Sequence, residues 1–342
     1  MDELHIKGVV FIQTIQKYFQ DESSFMILIS HLSDPKNAFL FYFPLVFCLH
    51  RSVGKRVLWV AAISEWLNAV FKWILRGERP YWWVSESNLY KTPPHLEQFD
   101  ITCETGPGSP SGHCMVTSAV IYIIVSDFLF YTNIKSVGIK LLCWSGYVIL
   151  LMLVCISRCF IAAHFPHQVI AGTLVGVLIG MVMNKISTTN LSLPHYMLTS
   201  LALLSGGVGT FYIIQSMDLD PFWSISKAER RCANPEWIHL DSSLFFSIVR
   251  DFSSLIGLGL GLSLTSTTGV KFSPIFTPIQ IVVSLALTLG SDWVQLPKVP
   301  VIYFYLSASL KFIVIFICVV AVIPKLNIGN IENRKKQKKK KK

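Results

Sequence analysis

Lys72 with Arg79-Pro80, Pro110-Ser111-Gly112-His113, and Ser157-Arg158 with His164 form three separated clusters that combine cations, a turn-rich loop and two histidines. A lysine point charge with two guanidinium forks suits a doubly charged phosphate group. Lys72 and Arg79 are seven residues apart, two turns of a continuing helix, so both face one way, with Pro80 as the stop. Glu65 lies seven residues earlier on the same stripe. The segment from Cys103 to His113 is rich in turn formers and runs into a long apolar stretch. Its end reads as a helix N-terminus, where free N–H groups favour an anion and Gly112 admits a ligand to the backbone. His113 and His164 suit the proton-transfer and nucleophile roles, because imidazole is nucleophilic when neutral and a good acid when protonated.

Each cluster also has a plainer reading. Lys72 alone is consistent with a lysine reaching a membrane interface, and the Gly/Pro loop with a serine N-cap. Lone histidines are usually structural, which is the reading for His5, His31, His50, His95 and His195. The company that His113 and His164 keep sets them apart.

The elements that must position these residues are membrane helices. Hydrophobic residues make up 52% of the 342 and charged ones 15%, against roughly 25% in a soluble domain. The mean hydropathy is +0.52. Apolar windows predict an all-α polytopic bundle with about nine spans, near 25–48, 54–75, 114–132, 141–157, 165–184, 197–216, 246–267, 276–292 and 301–324. The first is the least regular, because Asp34, Lys36 and Asn37 interrupt it. One catalytic domain is expected over 1–324, its core at about 54–185, followed by a basic tail 325–342. Leu4, Phe11, Ile15 and Tyr18 share one side of a helix, which predicts an amphipathic N-terminal segment on the membrane surface. Asp2 and Glu3 stand where a signal peptide would be positive.

The net charge of +10 comes from that tail, since eight basic residues crowd into 334–342 and the rest nearly balance the 20 acids. No nucleic-acid footprint follows. Nine spans put the termini on opposite sides. A cytosolic tail then makes the N-terminus and the connections 76–113 and 217–245 lumenal, with Arg51, Lys55, Arg56, Lys135, Lys140, Lys185 and Lys271 cytosolic. Lys339 and Lys340 occupy the −4 and −3 positions of a dilysine retrieval signal, which favours the endoplasmic reticulum; a polybasic patch on anionic membrane lipid is the alternative and is compatible with it. The sequon Asn190-Leu191-Ser192 falls on the cytosolic side and is expected unglycosylated. The eight cysteines lack metal-ligand spacing, and Cys103 and Cys232, in polar connections, are candidates to pair.

Order and spacing of Lys72-x6-Arg79-Pro80, Pro110-Ser111-Gly112-His113 and Ser157-Arg158-x5-His164 resemble the three-part signature of the phosphatidic-acid-phosphatase and vanadium-haloperoxidase superfamily. Within it the whole chain is similar to the glucose-6-phosphatase catalytic subunits, through Phe71 to Leu75, Arg79 to Val84, Cys103 to His113, Ala163-His164-Phe165-Pro166-His167-Gln168 and Asn234 to His239. Phe41 to Pro44, Glu65 to Asn68 and Ser111 to Met115 look most like a widely expressed branch of that family. The resemblance implies a phosphatidic-acid-phosphatase-like core, a phosphohistidine at His164, and His113 as donor to the leaving sugar oxygen and activator of water. Lys72, Arg79, Arg158, Ser111 and the Gly112 N–H then hold the phosphoryl oxygens. It implies no metal or other cofactor, a sugar phosphate as substrate, and functional coupling to a glucose-6-phosphate transporter.

One position departs from the superfamily. Four residues after the nucleophilic histidine an aspartate is usual, and here Gln168 stands. Its amide oxygen is expected to accept the His164 Nδ1–H, with Asp34 first and Glu65 second as sources of a supporting carboxylate; Asp34 paired with Lys36 is the alternative. Two rival functions remain: a lipid phosphate phosphatase, and a transporter that binds phosphate without cleaving it. Inverted repeats, which would favour the transporter, are not evident.

Overall fold

Long apolar runs broken by Gly, Pro and polar turns dictate helices, and in this computed structural model every regular element among the described residues is helical. Residues 1–188, 190–238, 243–266, 277–297 and 299–324 are described; Lys271, His239 and the basic tail with Lys339 and Lys340 lie outside them. Helix α1 spans Asp2–Tyr18. Its buried stripe is His5, Gly8, Val9, Ile12, Ile15 and Gln16, whereas Leu4, Phe11 and Tyr18 are exposed. The expected stripe thus divides, Ile15 turning inward with its 3.6-period neighbours, because α1 packs on protein as well as presenting an apolar side outward. Gln16 fixes this docking by donating to the carbonyls of Phe160 at 2.6 Å and Glu97 at 2.9 Å.

Helix α2, Ser23–Leu32, ends where Asp34 Oδ1 accepts the Lys36 amide at 2.9 Å, so the first expected span is broken. The chain resumes in a π-helical turn, Ala38–Tyr42, leading to α3, Phe43–Leu49. Helix α4 runs Arg51–Leu75 and α5 Pro80–Glu86. Between them Arg76 takes a left-handed conformation (φ 48°) and Arg79 is extended, as a residue before proline prefers. Pro80 therefore starts a helix instead of stopping one, and Lys72 and Arg79 do not meet along a continuous stripe.

Helices α6 (Gly112–Tyr131), α7 (Val137–Phe160), α8 (Pro166–Lys185) and α9 (Leu193–Ser216) follow, then a short α10 (Trp223–Arg231), α11 (Leu244–Ser266), α12 (Thr277–Asp292) and α13 (Val301–Ile317). Seven stretches among the described residues are long and apolar enough to cross a membrane: Arg51–Glu86, Gly112–Tyr131, Val137–Phe160, Pro166–Lys185, Leu193–Ser216, Leu244–Ser266 and Val301–Val322. Two shorter apolar helices, Ala38–Leu49 and Pro278–Asp292, stand at the first and eighth expected spans. Leu141, Leu142, Ile149 and Met152 of α7 are exposed, as lipid-facing side chains are. The chain is a multi-pass membrane protein.

The contacts separate two compact units. One comprises residues 1–37, 63–186 and 205–248. In it α8 lies against α6 with Gly172, Gly176 and Gly180 at the contact. A Cβ on Gly172 would stand 2.5 Å from the Ser111 carbonyl oxygen, and one on Gly180 2.8 Å from the Tyr122 Cβ. This small-residue spacing is how membrane helices approach closely when lipid supplies no hydrophobic drive between them. The second unit comprises the described residues of 38–62, 187–204 and 249–324. There Thr288 of α12 donates to the Leu40 carbonyl at 2.6 Å, Ser253 and Ser309 share a hydrogen bond at 2.8 Å, and Gly257 of α11 lies against Phe316.

Candidate active site

All three clusters lie in the first unit, on the turns that end α4 and α7 and begin α6 and α8. Arg79 is fully buried. Its Nε donates to the Gly106 carbonyl at 2.7 Å, Nη1 to Ala163 at 3.0 Å, and Nη2 to Pro107 at 3.2 Å and to Glu104 Oε2 at 2.8 Å. The remaining Nη1 direction faces His164 Nε2 at 3.4 Å. One guanidinium thus binds the loop 104–107 to the turn 163–164, which lie nearly sixty residues apart in sequence.

That turn hangs from the end of α7, where the Arg158 carbonyl accepts the amides of both Ala163 and His164 at 3.3 Å and Ala162 is left-handed (φ 55°). His164 is fully buried, and its Nδ1 lies 2.8 Å from the Gly108 carbonyl. A carbonyl only accepts, so Nδ1 carries the proton and the Nε2 lone pair faces Arg79. Burial first, then the repulsion of Arg79, Arg158 and Lys72, opposed by Glu104, hold the His164 imidazole well below its ordinary value of 6.5. The imidazole is therefore neutral at neutral pH.

Ser111 caps α6, and its Oγ is buried without a hydrogen-bond partner. Its amide donates to the Gln168 carbonyl at 3.1 Å, which ties the start of α6 to the first turn of α8. Gly112 and His113 follow as the first residues of α6. Arg158, in the last turn of α7, donates from Nη1 to Ser30 Oγ at 3.1 Å, while its Nε is buried and unpartnered. Lys72, 6% exposed, ends the long helix α4. Lys72, Arg79, His113 and Arg158 all converge on a single carboxylate, that of Glu104. Arg79 Nη2 is 2.8 Å from it, Arg158 Nη2 is in close contact, His113 Nδ1 is at 3.6 Å and Lys72 Nζ at 3.8 Å. Burial opposes the charge, but Arg79, Arg158, Lys72 and His113 together hold the Glu104 carboxyl well below the usual 4.5.

Glu104 is the site residue that reasoning from sequence missed. The signal was an acid inside the Gly/Pro loop, nine residues before His113 and next to Cys103. The structure also corrects the partner expected for His164 Nδ1. The Gly108 carbonyl fills the position expected for the Gln168 oxygen or a carboxylate; a neutral carbonyl orients the imidazole without adding a buried charge. Gln168 instead accepts the Phe165 amide at 3.1 Å and donates to the Glu78 carbonyl at 2.7 Å, bracing the backbone on both sides of the site. Asp34 binds the main-chain amide of Lys36 in the α2–α3 turn, and Glu65 is buried on α4 two turns before Lys72.

The connection 217–238 is strapped to the site loops. Cys103 and Cys232 form a disulfide, Ser224 Oγ donates to the Thr105 carbonyl at 2.8 Å, and Lys227 pairs with Glu78 at 2.6 Å. Among the described residues no group of three or more His, Cys, Asp or Glu is placed to hold a metal ion.

Residues 53–192 match the PAP2 superfamily, a range that contains every member of the cation and histidine clusters. The chain is 39% identical over 340 residues to human glucose-6-phosphatase 2, covering 95% of this chain and 96% of the relative. It is 39% identical over 339 residues to the cat glucose-6-phosphatase catalytic subunit 1, covering 95% of each, and 37% identical over 338 residues to the rat protein of that name, again covering 95% of each. No solved structure matches. Likeness at this level from end to end, with the PAP2 clusters gathered around one buried imidazole, makes this chain a member of the glucose-6-phosphatase family.

Proposed function

We propose that the protein hydrolyses glucose 6-phosphate, or a closely related hexose or polyol 6-phosphate, to free sugar and phosphate through a phosphohistidine on His164. The observation that carries this reading is the His164 ring, with Nδ1 engaged by the Gly108 carbonyl and Nε2 turned to the buried guanidinium of Arg79. The Nε2 lone pair attacks phosphorus and the bond from phosphorus to the sugar oxygen breaks. His113 gives its proton to that oxygen. Water then attacks the phosphohistidine, His113 takes the water's proton, and phosphate leaves with His164 restored. Lys72, Arg79, Arg158, Ser111 and the Gly112 N–H hold the equatorial oxygens, so positioning and electrostatics supply most of the rate. Gln168 acts as a brace for the turn that bears His164. Asp34 and Glu65 are assigned supporting places at the edge of the site.

Residues 1–324 act in this reading as one catalytic domain of the endoplasmic reticulum membrane, with N-terminus and site lumenal and the tail cytosolic. The Cys103–Cys232 disulfide supports that side, since it joins the two connections expected in an oxidising lumen. Substrate made in the cytosol then requires a transporter. The test is phosphate release by the purified protein from glucose 6-phosphate and from phosphatidic acid, repeated with His164→Ala. Release from the sugar phosphate that the substitution abolishes is expected. Hydrolysis of the lipid alone defeats the substrate assignment, and unchanged turnover by His164→Ala defeats the mechanism.

A further inference from the structure

The cations of the site gather on an anion that belongs to the protein. The two oxygens of Glu104 draw on Arg79, Arg158, His113 and Lys72, the same side chains that the reading above assigns to phosphate. Two buried donors on the same residues that are assigned to phosphate, Ser111 Oγ and Arg158 Nε, have no partner of hydrogen-bond geometry. A carboxylate offers two oxygens to these donors; a tetrahedral phosphoryl group offers three. The two anions exclude each other, because like charges within about 4 Å in a buried site repel strongly. The Glu104 side chain keeps 19% of its surface exposed, so it has a way out, while its neighbour Cys103 is anchored by the disulfide to Cys232.

We propose that Glu104 is a tethered counter-anion that exchanges with phosphate: it holds the phosphoryl subsite of the empty enzyme, is displaced when a phosphate monoester enters, and on returning expels inorganic phosphate. The inference rests on the phosphohydrolase reading above. It makes Glu104 a positioning residue, which keeps the cations gathered between turnovers and weakens product inhibition. A purely structural ion pair makes the opposite prediction for phosphate affinity, since its loss would scatter the cations and loosen phosphate.

The full-length protein in detergent supplies two tests. In Glu104→Gln the inhibition constant of inorganic phosphate against glucose 6-phosphate hydrolysis is expected to fall about tenfold, the loss of one competing charge-assisted hydrogen bond. A constant that is unchanged or raised in a folded variant overturns the proposal. The wild-type protein, solved with orthovanadate, needs no substitution and so does not depend on how the variant folds. Vanadate on His164 with the Glu104 carboxylate withdrawn from both guanidiniums is expected. Vanadate on His164 with Glu104 still paired to Arg79 and Arg158 overturns the exchange alone. Vanadate absent from His164 overturns the phosphohydrolase reading and the exchange together.

Discussion

Gly172 is the position where one methyl group should switch off chemistry it never touches. It lies in the second turn of α8, and a Cβ there would stand 2.5 Å from the Ser111 carbonyl oxygen and 3.2 Å from the Ser111 nitrogen. Ordinary contact begins at 3.4 Å, so Gly172→Ala pushes the Ser111 carbonyl back by about 0.9 Å. That carbonyl cannot yield freely. It accepts the Met115 amide at 3.0 Å, the opening hydrogen bond of α6, and the Ser111 amide is tied to Gln168 at 3.1 Å. The displacement therefore passes to Ser111, Gly112 and His113 together, away from His164. Misplacement of about 1 Å costs on the order of 10² in rate, equivalent to about 2.7 kcal/mol in the barrier, and overpacking costs about 1–3 kcal/mol of stability. The assay is kcat and KM for glucose 6-phosphate with purified protein, alongside thermal stability. Gly146→Ala on α7 is the control, because nothing lies within 4 Å of a Cβ at that position. It should keep kcat within about twofold of the parent, as open helix sites tolerate alanine. Gly172→Ala retaining kcat within about threefold would refute the claim that this helix contact sets the geometry of the site.

Cys232→Ser opens a cross-link spanning 129 residues, which on chain entropy contributes about 5 kcal/mol; the temperature of thermal inactivation should drop sharply, and reductant should do the same to the parent but not to the variant. Gln168→Glu should lower activity and stability by about 1–3 kcal/mol, because the Glu78 carbonyl loses its donor and faces a carboxylate. An increase in activity would restore the view that a carboxylate at this position orients the nucleophile. The pH profile supplies a further check. In the proposed mechanism His164 attacks as the neutral imidazole, and its pKa is held below 6.5, so the acid limb of kcat/KM, corrected for substrate ionisation, should lie below pH 6.5. A corrected limb centred at or above 6.5 contradicts the burial argument. Glu104 is depressed below 4.5, so the stability its pairs supply is complete above 4.5 and disappears only as pH falls well beneath it; thermal stability of the substrate-free protein should carry no Glu104 transition between pH 5 and 8.

Much of this protein is legible along the chain because the membrane restricts what a sequence can do. Apolar runs such as 137–160 or 301–322 have no alternative to helix where water cannot satisfy the backbone, so fold class and most spans follow from hydropathy. Charged and imidazole side chains beside such runs are expensive, which singles out Lys72, Arg79, His113, Arg158 and His164 without any coordinates. Less was legible wherever two routes have similar local cost. The interruption after α2 was visible in Asp34, Lys36 and Asn37, but not that the segment beyond it forms only a short apolar helix. Pro80 signals a boundary equally well as a stop or a start, and only packing decided that it opens α5. For α1, the apolar residues are too evenly spread for periodicity to say which stripe faces protein.

The sequence by itself determined which residues carry charge and nucleophilicity, and that they flank membrane helices. Tertiary structure alone decided their pairing: that the Gly108 carbonyl and not a side chain holds Nδ1 of His164, that Gln168 braces backbone, and that Glu104 sits among the cations. The reason is that hydrogen bonds and ion pairs depend on distances of a few tenths of an ångström between segments 25 to 90 residues apart. Those distances are set by how the helices pack, as where α8 meets Ser111 across Gly172, which no local pattern encodes.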